Sequence, residues 1–125
     1  MKEDNLILKK SYSFAIKIIQ TYEYIRNEKK EFVLSKQLLR SGTSIGANVE
    51  EAGGAQTPKD FIAKLAIAYK EARETNYWLR LLHDCKYIDT RMFDSNSKDC
   101  EELLKIIVSI QKTMKSKLSS SILNS

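Results

Sequence analysis

The sequence predicts an all-α protein, an antiparallel up-down-up-down four-helix bundle formed by residues 1–125 as one domain. Turn-forming residues are scarce, since the chain has one proline and four glycines, whereas a sheet protein needs such residues at every turn. Apolar or small residues recur at steps of three and four in four long segments, as in amphipathic helices. Short links between these segments favour antiparallel neighbours.

The first helix is predicted over about residues 5–27, before the polar connection RNEKKE. Ile7, Phe14, Ile18 and Ile25 recur at helical spacing within it. We therefore expect these side chains to form the stripe that faces the other three helices.

The second helix is predicted over about residues 32–54, although it contains several glycines and small polar residues. A glycine inside a helix costs about 0.5–1 kcal/mol relative to alanine. Here the small residues fall in step with the helical repeat, so we expect them to let a neighbouring helix approach closely. The residues assigned to this close helix packing are Gly42, Ser44, Gly46 and Asn48.

The stretch GGAQTPKDF predicts the end of the second helix and the start of the third. Gly53 and Gly54 are expected to supply a left-handed residue at the helix end. Thr57 is a good N-cap, and Pro58 suits the first helical position. The third helix is predicted over about residues 58–84.

The stretch CKYIDTRMFDSNSKD is predicted as a connection, with a short helical turn around residues 90–93. Ser95 or Ser97 is then expected to cap a fourth helix over about residues 97–119, and the tail 120–125 to be frayed. The expected buried stripe of this helix is Cys100, Leu104, Ile107, Gln111, Met114 and Leu118.

Two helices carry more apolar surface than one buried stripe needs. Exposed stripes of this size usually mark a partner surface, which predicts a homo-oligomer. The alternative is a wide arc that faces the protein's own core. The candidate interface residues are Tyr12, Ile16 and Ile19 in the first helix and Ile67, Trp78 and Leu81 in the third.

The blocks SIGANVEEA and KDFIAKLAIAYKEARETNYWLRLL resemble the bacterial four helix bundle protein family, also called the 23S rRNA-intervening-sequence or S23 ribosomal protein family. The resemblance covers about residues 5–119 and implies a homopentameric ring of antiparallel bundles without enzymatic activity. It also implies a relation to the basic accessory protein of diversity-generating retroelements, which works with a reverse transcriptase and nucleic acid. The positions that match the family's blocks, as structural roles only, are Ser44, Ile45, Ala47, Asn48, Glu50, Glu71 and Glu74.

The residues do not predict an enzyme, a cofactor or a metal site. His83 is the only histidine, and Arg80 stands where a Glu-x-x-His metal pair would need glutamate. Cys85 and Cys100 form no Cys-x-x-Cys pair, and GTSIGANV lacks the Gly-Lys-Ser/Thr of a phosphate loop. The acid-containing N-terminus is no signal peptide, and no run of about 20 apolar residues occurs. We therefore expect a cytoplasmic protein without a membrane partner.

Two groups of cations predict a basic surface, consistent with a net charge of +5. An aromatic among such cations can stack on a base, so the prediction is RNA or DNA binding, with a nucleic-acid enzyme as a further candidate partner. The alternatives are a solvated surface that serves solubility and a protein-interaction scaffold that binds no nucleic acid. The candidate residues are Lys70, Arg73, Tyr77 and Arg80 in the third helix and Lys98, Lys105, Lys112 and Lys115 in the fourth.

Overall fold

The computed structural model describes the backbone of residues 2–123 and the side chains of residues 5–122, and this part of the chain is an all-α four-helix bundle. The helices are α1 (Lys2–Lys29), α2 (Leu34–Gly53), α3 (Pro58–Asp84) and α4 (Thr90–Leu123). The predicted bounds are right for α3, too short at both ends for α1 and slightly too long for α2. Residues 120–123 continue α4 rather than fray, and residues 124–125 lie outside the described residues.

Each helix contacts its two neighbours, and the pairs of contacting residues run in opposite directions. In α2 and α3, Lys64 pairs with Glu51, whereas Arg40 pairs with Glu71 further along α3. The same inversion relates α1 to α4, where Lys10 pairs with Glu102 and Lys17 pairs with Asp99. The packing order α1–α2–α3–α4, with α4 closing on α1, is therefore antiparallel throughout.

The core is one apolar cluster to which every helix contributes. The predicted stripe of α1 is buried along its whole length, from Ile7 to Ile25. The α4 stripe is partly wrong, because Leu103 and Ile110 are fully buried while Leu104 and Gln111 lie at the edge. The helix has apolar residues on a wide arc, so several three-and-four repeats fit its sequence equally well.

The α2–α3 turn confirms one predicted cap and contradicts the other. The hydroxyl of Thr57 accepts a hydrogen bond from the backbone N–H of Asp60 at 3.0 Å, with Pro58 in the first turn of α3. No described glycine has a positive φ, and Gly54 has φ −98°. The left-handed region is occupied instead by Lys30 (φ 56°) and Lys86 (φ 66°), in the links before α2 and before α4.

The start of α4 lies seven residues before the predicted one, so the Ser95 and Ser97 caps are wrong. The carboxylate of Asp89 accepts a hydrogen bond from the backbone N–H of Met92 at 2.8 Å, which satisfies one of the free donors of the first turn. Met92 and Phe93 then pack against the core. This burial and the Asp89 cap together explain why the polar stretch DSNSKD is helical.

The start of α2 is held by a carboxylate that the sequence analysis did not single out. The side chain of Glu31 accepts hydrogen bonds from the backbone N–H groups of Val33, Leu34 and Ser35, at 3.0, 2.9 and 2.8 Å. Burial alone would raise the pKa of Glu31, but these hydrogen bonds outweigh it and hold the pKa below its usual value. Glu31 is therefore ionised where it caps the helix.

The glycines of α2 let α1 approach closely, as predicted. A Cβ atom at Gly42 would lie 2.7 Å from Cγ2 of Ile18, and one at Gly46 would lie 3.3 Å from the backbone oxygen of Ser11. Ser44 and Asn48 have a different role, since both side chains bond back to carbonyls of α2, at 2.6 and 2.9 Å. The close contact with α1 therefore depends on the two glycines.

Candidate nucleic-acid interface

A groove of about 500 Å³ runs between α3 and α4 and brings predicted cations from both helices together. Arg73 and Arg80 line it from α3, and Lys105 lines it from α4. The antiparallel packing of the two helices sets this arrangement, since Cys100 donates to the backbone oxygen of Ala72 at 3.2 Å. Three positive charges thus share one concave surface.

Each arginine of the groove lies beside a tyrosine of its own helix. The guanidinium carbon of Arg73 is 6.0 Å from the ring centre of Tyr69, and that of Arg80 is 5.8 Å from the ring centre of Tyr77. These separations are near the outer limit of cation–π attraction, so the contacts are weak and both guanidinium groups keep their positive charge. Tyr77 is 47% exposed and presents its ring to solvent.

Five groove residues were missed by the sequence analysis. Tyr69 and Asn76 line the groove from α3, and Glu101, Leu104 and Val108 line it from α4. Spacing could have found the first two, because they lie four before and three after Arg73 on one side of the helix. Glu101 depends on the alignment of α4 against α3, which no repeat in the sequence specifies.

The remaining predicted cations are exposed but do not line the groove. Lys98 and Lys112 lie seven residues before and seven residues after Lys105 on the outside of α4, and α4 has no acidic residue after Glu102. Lys70 is exposed on α3, and Lys115 is exposed near the end of α4. The cations form a broad basic face on α3 and α4 with the groove within it.

The predicted apolar stripe of α1 is exposed, at Tyr12, Ile16 and Ile19. On α3, Ile67 is also exposed, whereas Leu81 is half-buried. The exposed stripe is thus smaller than the six residues predicted.

Trp78, a predicted interface residue of α3, is partly buried in the single chain. Its ring packs against the core, and its indole N–H donates to a carboxylate oxygen of Glu74 at 3.1 Å. Arg40 of α2 pairs with the same carboxylate and with Glu71 at 3.2 Å. These carboxylates therefore connect α2 to α3.

The reactive side chains of the chain are dispersed. His83 stacks on Phe93 at 4.6 Å and contacts the hydroxyl of Thr90 at 3.1 Å. Burial, followed by the charge of Glu101, raises the pKa of the Cys100 thiol to about 12. Cys85 is exposed and unpaired. Within residues 5–122, no three His, Cys, Asp or Glu side chains come together in a way that could hold a metal ion.

None of the helices in the described part of the chain is long and apolar enough to cross a membrane. The molecule is a four-helix bundle whose α3 and α4 carry a cationic groove.

The model of the family described as 23S rRNA-intervening sequence protein matches residues 3–109, and the chain belongs to that family. The resemblance inferred from the two sequence blocks is thereby confirmed. A crystal structure of a protein of unknown function from the S23 ribosomal protein family of Bacteroides thetaiotaomicron VPI-5482 is 52% identical, with a TM-score of 0.87. The match covers 88% of this chain and 98% of that one. No curated protein matches the chain.

Proposed function

We propose that the protein is a non-enzymatic, self-associating bundle that presents the α3–α4 face to RNA or DNA in the cytoplasm. The observation that carries this proposal is the groove in which Arg73, Arg80 and Lys105 meet from two helices. It would act without a cofactor, as an accessory to an enzyme that works on nucleic acid.

The charge distribution supports binding of a polyanion. The net charge is +5, and the outer face of α4 is free of acidic residues beyond Glu102. Each phosphate neutralised by a lysine or arginine releases condensed counterions, so affinity falls steeply as salt rises. A basic face of this kind binds by backbone charge, with little dependence on sequence.

Self-association would place several copies of the basic face on one particle. Tyr12 is 66% exposed and stands beside Ile16 and Ile19 on α1, an apolar stripe that a second copy would cover. The family resemblance suggests five copies in a ring. Each added subunit adds its own cations to the surface that one nucleic-acid strand can follow.

Fluorescence anisotropy of a labelled RNA at several salt concentrations tests the nucleic-acid proposal. Replacing Arg73, Arg80 and Lys105 together by glutamine should weaken binding and flatten the salt dependence by about one unit per lost phosphate contact. The matched control removes the same charge from α1 by replacing Lys9, Arg26 and Lys29 with glutamine. Equal losses in the two triple variants would leave net charge alone as the cause and contradict a defined site.

Light scattering tests self-association. The double variant Ile16→Glu, Ile19→Glu should lower the particle mass while circular dichroism stays helical, because both side chains are exposed in the single chain. Val33→Glu is the control, since Val33 is 71% exposed in the α1–α2 link and lies off the stripe. A wild-type mass equal to one chain would end the oligomer proposal.

A protein-interaction scaffold without nucleic-acid binding is the second candidate. The observation that favours it is the exposed pair Phe32 and Val33 at the link between α1 and α2. Such apolar side chains at a bundle end suit a protein contact. A stoichiometric protein partner that survives nuclease treatment and is lost in Phe32→Ser would support this candidate.

A further inference from the structure

We infer that the α3–α4 groove takes single-stranded nucleic acid, with an unpaired base inserted beside Tyr69 and a second base stacked on Tyr77. This inference rests on the proposed function and adds the class of nucleic acid to it. It follows from the chemistry of the groove's rim, of its interior and of the exposed tyrosine.

The rim of the groove suits a sugar-phosphate backbone. Arg73 and Arg80 are seven residues apart, which places them about 10 Å apart along α3. Lys105 faces them from α4 across the groove. Cations on both sides can hold phosphates of one strand while the bases turn inward.

The interior of the groove suits a base better than a phosphate. Leu104 and Val108 give it an apolar wall, and Tyr69 adds an aromatic one. Asn76 accepts a hydrogen bond from the Ser97 hydroxyl at 3.4 Å through its carbonyl oxygen, and its amide group can donate to a ring nitrogen or carbonyl of a base.

Glu101 favours a base over a phosphate inside the groove. Its carboxylate lines the same groove and would repel a phosphate placed there, but it can accept hydrogen bonds from the exocyclic amino group of a base. A carboxylate at this position would not increase the affinity of the groove for phosphate. With three cations and one carboxylate lining the groove, the charge pattern matches a nucleotide whose phosphates meet the cations and whose base reaches Glu101.

Tyr77 favours a single strand over a duplex. Its exposed ring stands next to Arg80, and each base offers a π-face to such a ring only when it is not stacked in a helix. In a duplex the base faces are covered, so the tyrosines would contribute nothing and only the cations would bind.

The test compares a labelled 20-nucleotide single strand with the duplex of the same sequence, in both RNA and DNA form, by anisotropy on the purified full chain. We expect the single strand to bind at least tenfold more tightly at moderate salt. Tyr77→Leu should weaken single-strand binding about tenfold and leave duplex binding unchanged, as expected for the loss of one stacked base. Tyr77→Phe keeps the ring and should bind like the wild type.

A variant inside the groove gives a second readout. Leu104→Trp fills the groove without changing its charge and should reduce single-strand binding, while Arg26→Gln, on α1, should not. Circular dichroism melting identifies any variant that fails to fold, and Val108→Phe then replaces Leu104→Trp.

The outcomes separate the two claims. Equal binding of single strand and duplex, or equal affinities for Tyr77→Leu and Tyr77→Phe, would overturn the single-strand inference and leave the nucleic-acid proposal standing. Binding of neither form above the level of an equally charged unrelated protein would overturn both.

Discussion

Helix α1 contacts its two neighbours in opposite ways. Against α2 it lies close to the backbone at two glycines, since Gly42 leaves room for Ile18 and Gly46 leaves room for the main chain at Ser11. Against α4 it lies across polar side chains. Lys17 donates to Asp99 at 2.7 Å and to the backbone oxygen of Ser95 at 3.1 Å.

The close glycine contact and the polar contact should respond differently to mutation. The α1–α2 contact is close because Gly42 and Gly46 have no side chains, so a side chain added at either position must displace a packed neighbour. The ion pairs of the α1–α4 contact lie at the surface and contribute little, because water competes for both charges. The buried polar part of this contact is the pair Thr21 and Asn96, whose side chains lie 3.3 Å apart. We therefore expect mutations in the first contact to destabilise the protein more.

The largest effect is expected for Gly46→Leu. A side chain here meets the carbonyl of Ser11, and backbone cannot rotate away. Overpacking costs about 1–3 kcal/mol and occasionally more, and we expect about 3 kcal/mol here. Urea unfolding measures the loss, with Ala47→Leu as the control, because Ala47 is exposed on the same helix. Equal stability of the two variants would contradict the close α1–α2 contact.

A smaller loss is expected for Gly42→Ala. The added methyl group would lie 2.7 Å from Cγ2 of Ile18, a fully buried side chain. We expect a net loss of about 1–2 kcal/mol after the helix-forming gain of alanine. Gly53→Ala is the matched control, since no atom lies within 4 Å of its Cβ position, and it should be neutral or slightly stabilising. Stabilisation by both alanines would mean that Ile18 moves aside freely.

Glu31→Gln tests the start of α2, which sets where this helix meets α1. The change removes a charged cap and should cost about 1 kcal/mol at neutral pH. Hydrogen bonds hold the pKa of Glu31 in the folded state below its value in the unfolded state. The ionised carboxylate therefore stabilises the fold fully at pH values above the unfolded-state pKa. This stabilisation is lost as the pH falls through the folded-state pKa.

Thermal melting of Glu31→Gln and wild type between pH 7 and pH 2.5 measures this dependence. The difference in Tm should shrink as the pH falls and disappear once Glu31 is protonated in both states. A difference that stays constant with pH would assign the effect to shape rather than charge.

The smallest effect is expected for Asp99→Asn in the α1–α4 contact. Its side chain is 46% exposed and that of Lys17 is 31% exposed, so the ion pair should contribute less than about 1 kcal/mol. Urea unfolding measures the difference in stability between Asp99→Asn and the wild type, and 1 M NaCl should remove most of that difference. A loss as large as that of Gly42→Ala would reverse the comparison between the two contacts.

The fold could be predicted because the helical repeats are long and the α2–α3 turn has strong signals. Thr57 and Pro58 gave the start of α3 correctly. The start of α4 was missed because a cap at Asp89 was followed by polar residues typical of a loop. Tertiary burial of Met92 and Phe93, which no local pattern reports, makes that stretch helical.

The candidate site could be predicted residue by residue but not as a site. Spacing placed Arg73 and Arg80 on one side of α3, and Lys105 on the outside of α4. That they line one groove depends on how α4 is aligned against α3, which the packing of Cys100 on Ala72 determines. The place of the Glu101 carboxylate in the groove depends on the same alignment.

The carboxylate of Glu74 has an optical consequence. Trp78 is the only tryptophan in the chain, and its indole N–H donates to the carboxylate that also binds Arg40. Any event that pulls α2 away from α3 changes the electric field around the indole. The intrinsic emission wavelength of the unlabelled molecule therefore reports the separation of these two helices.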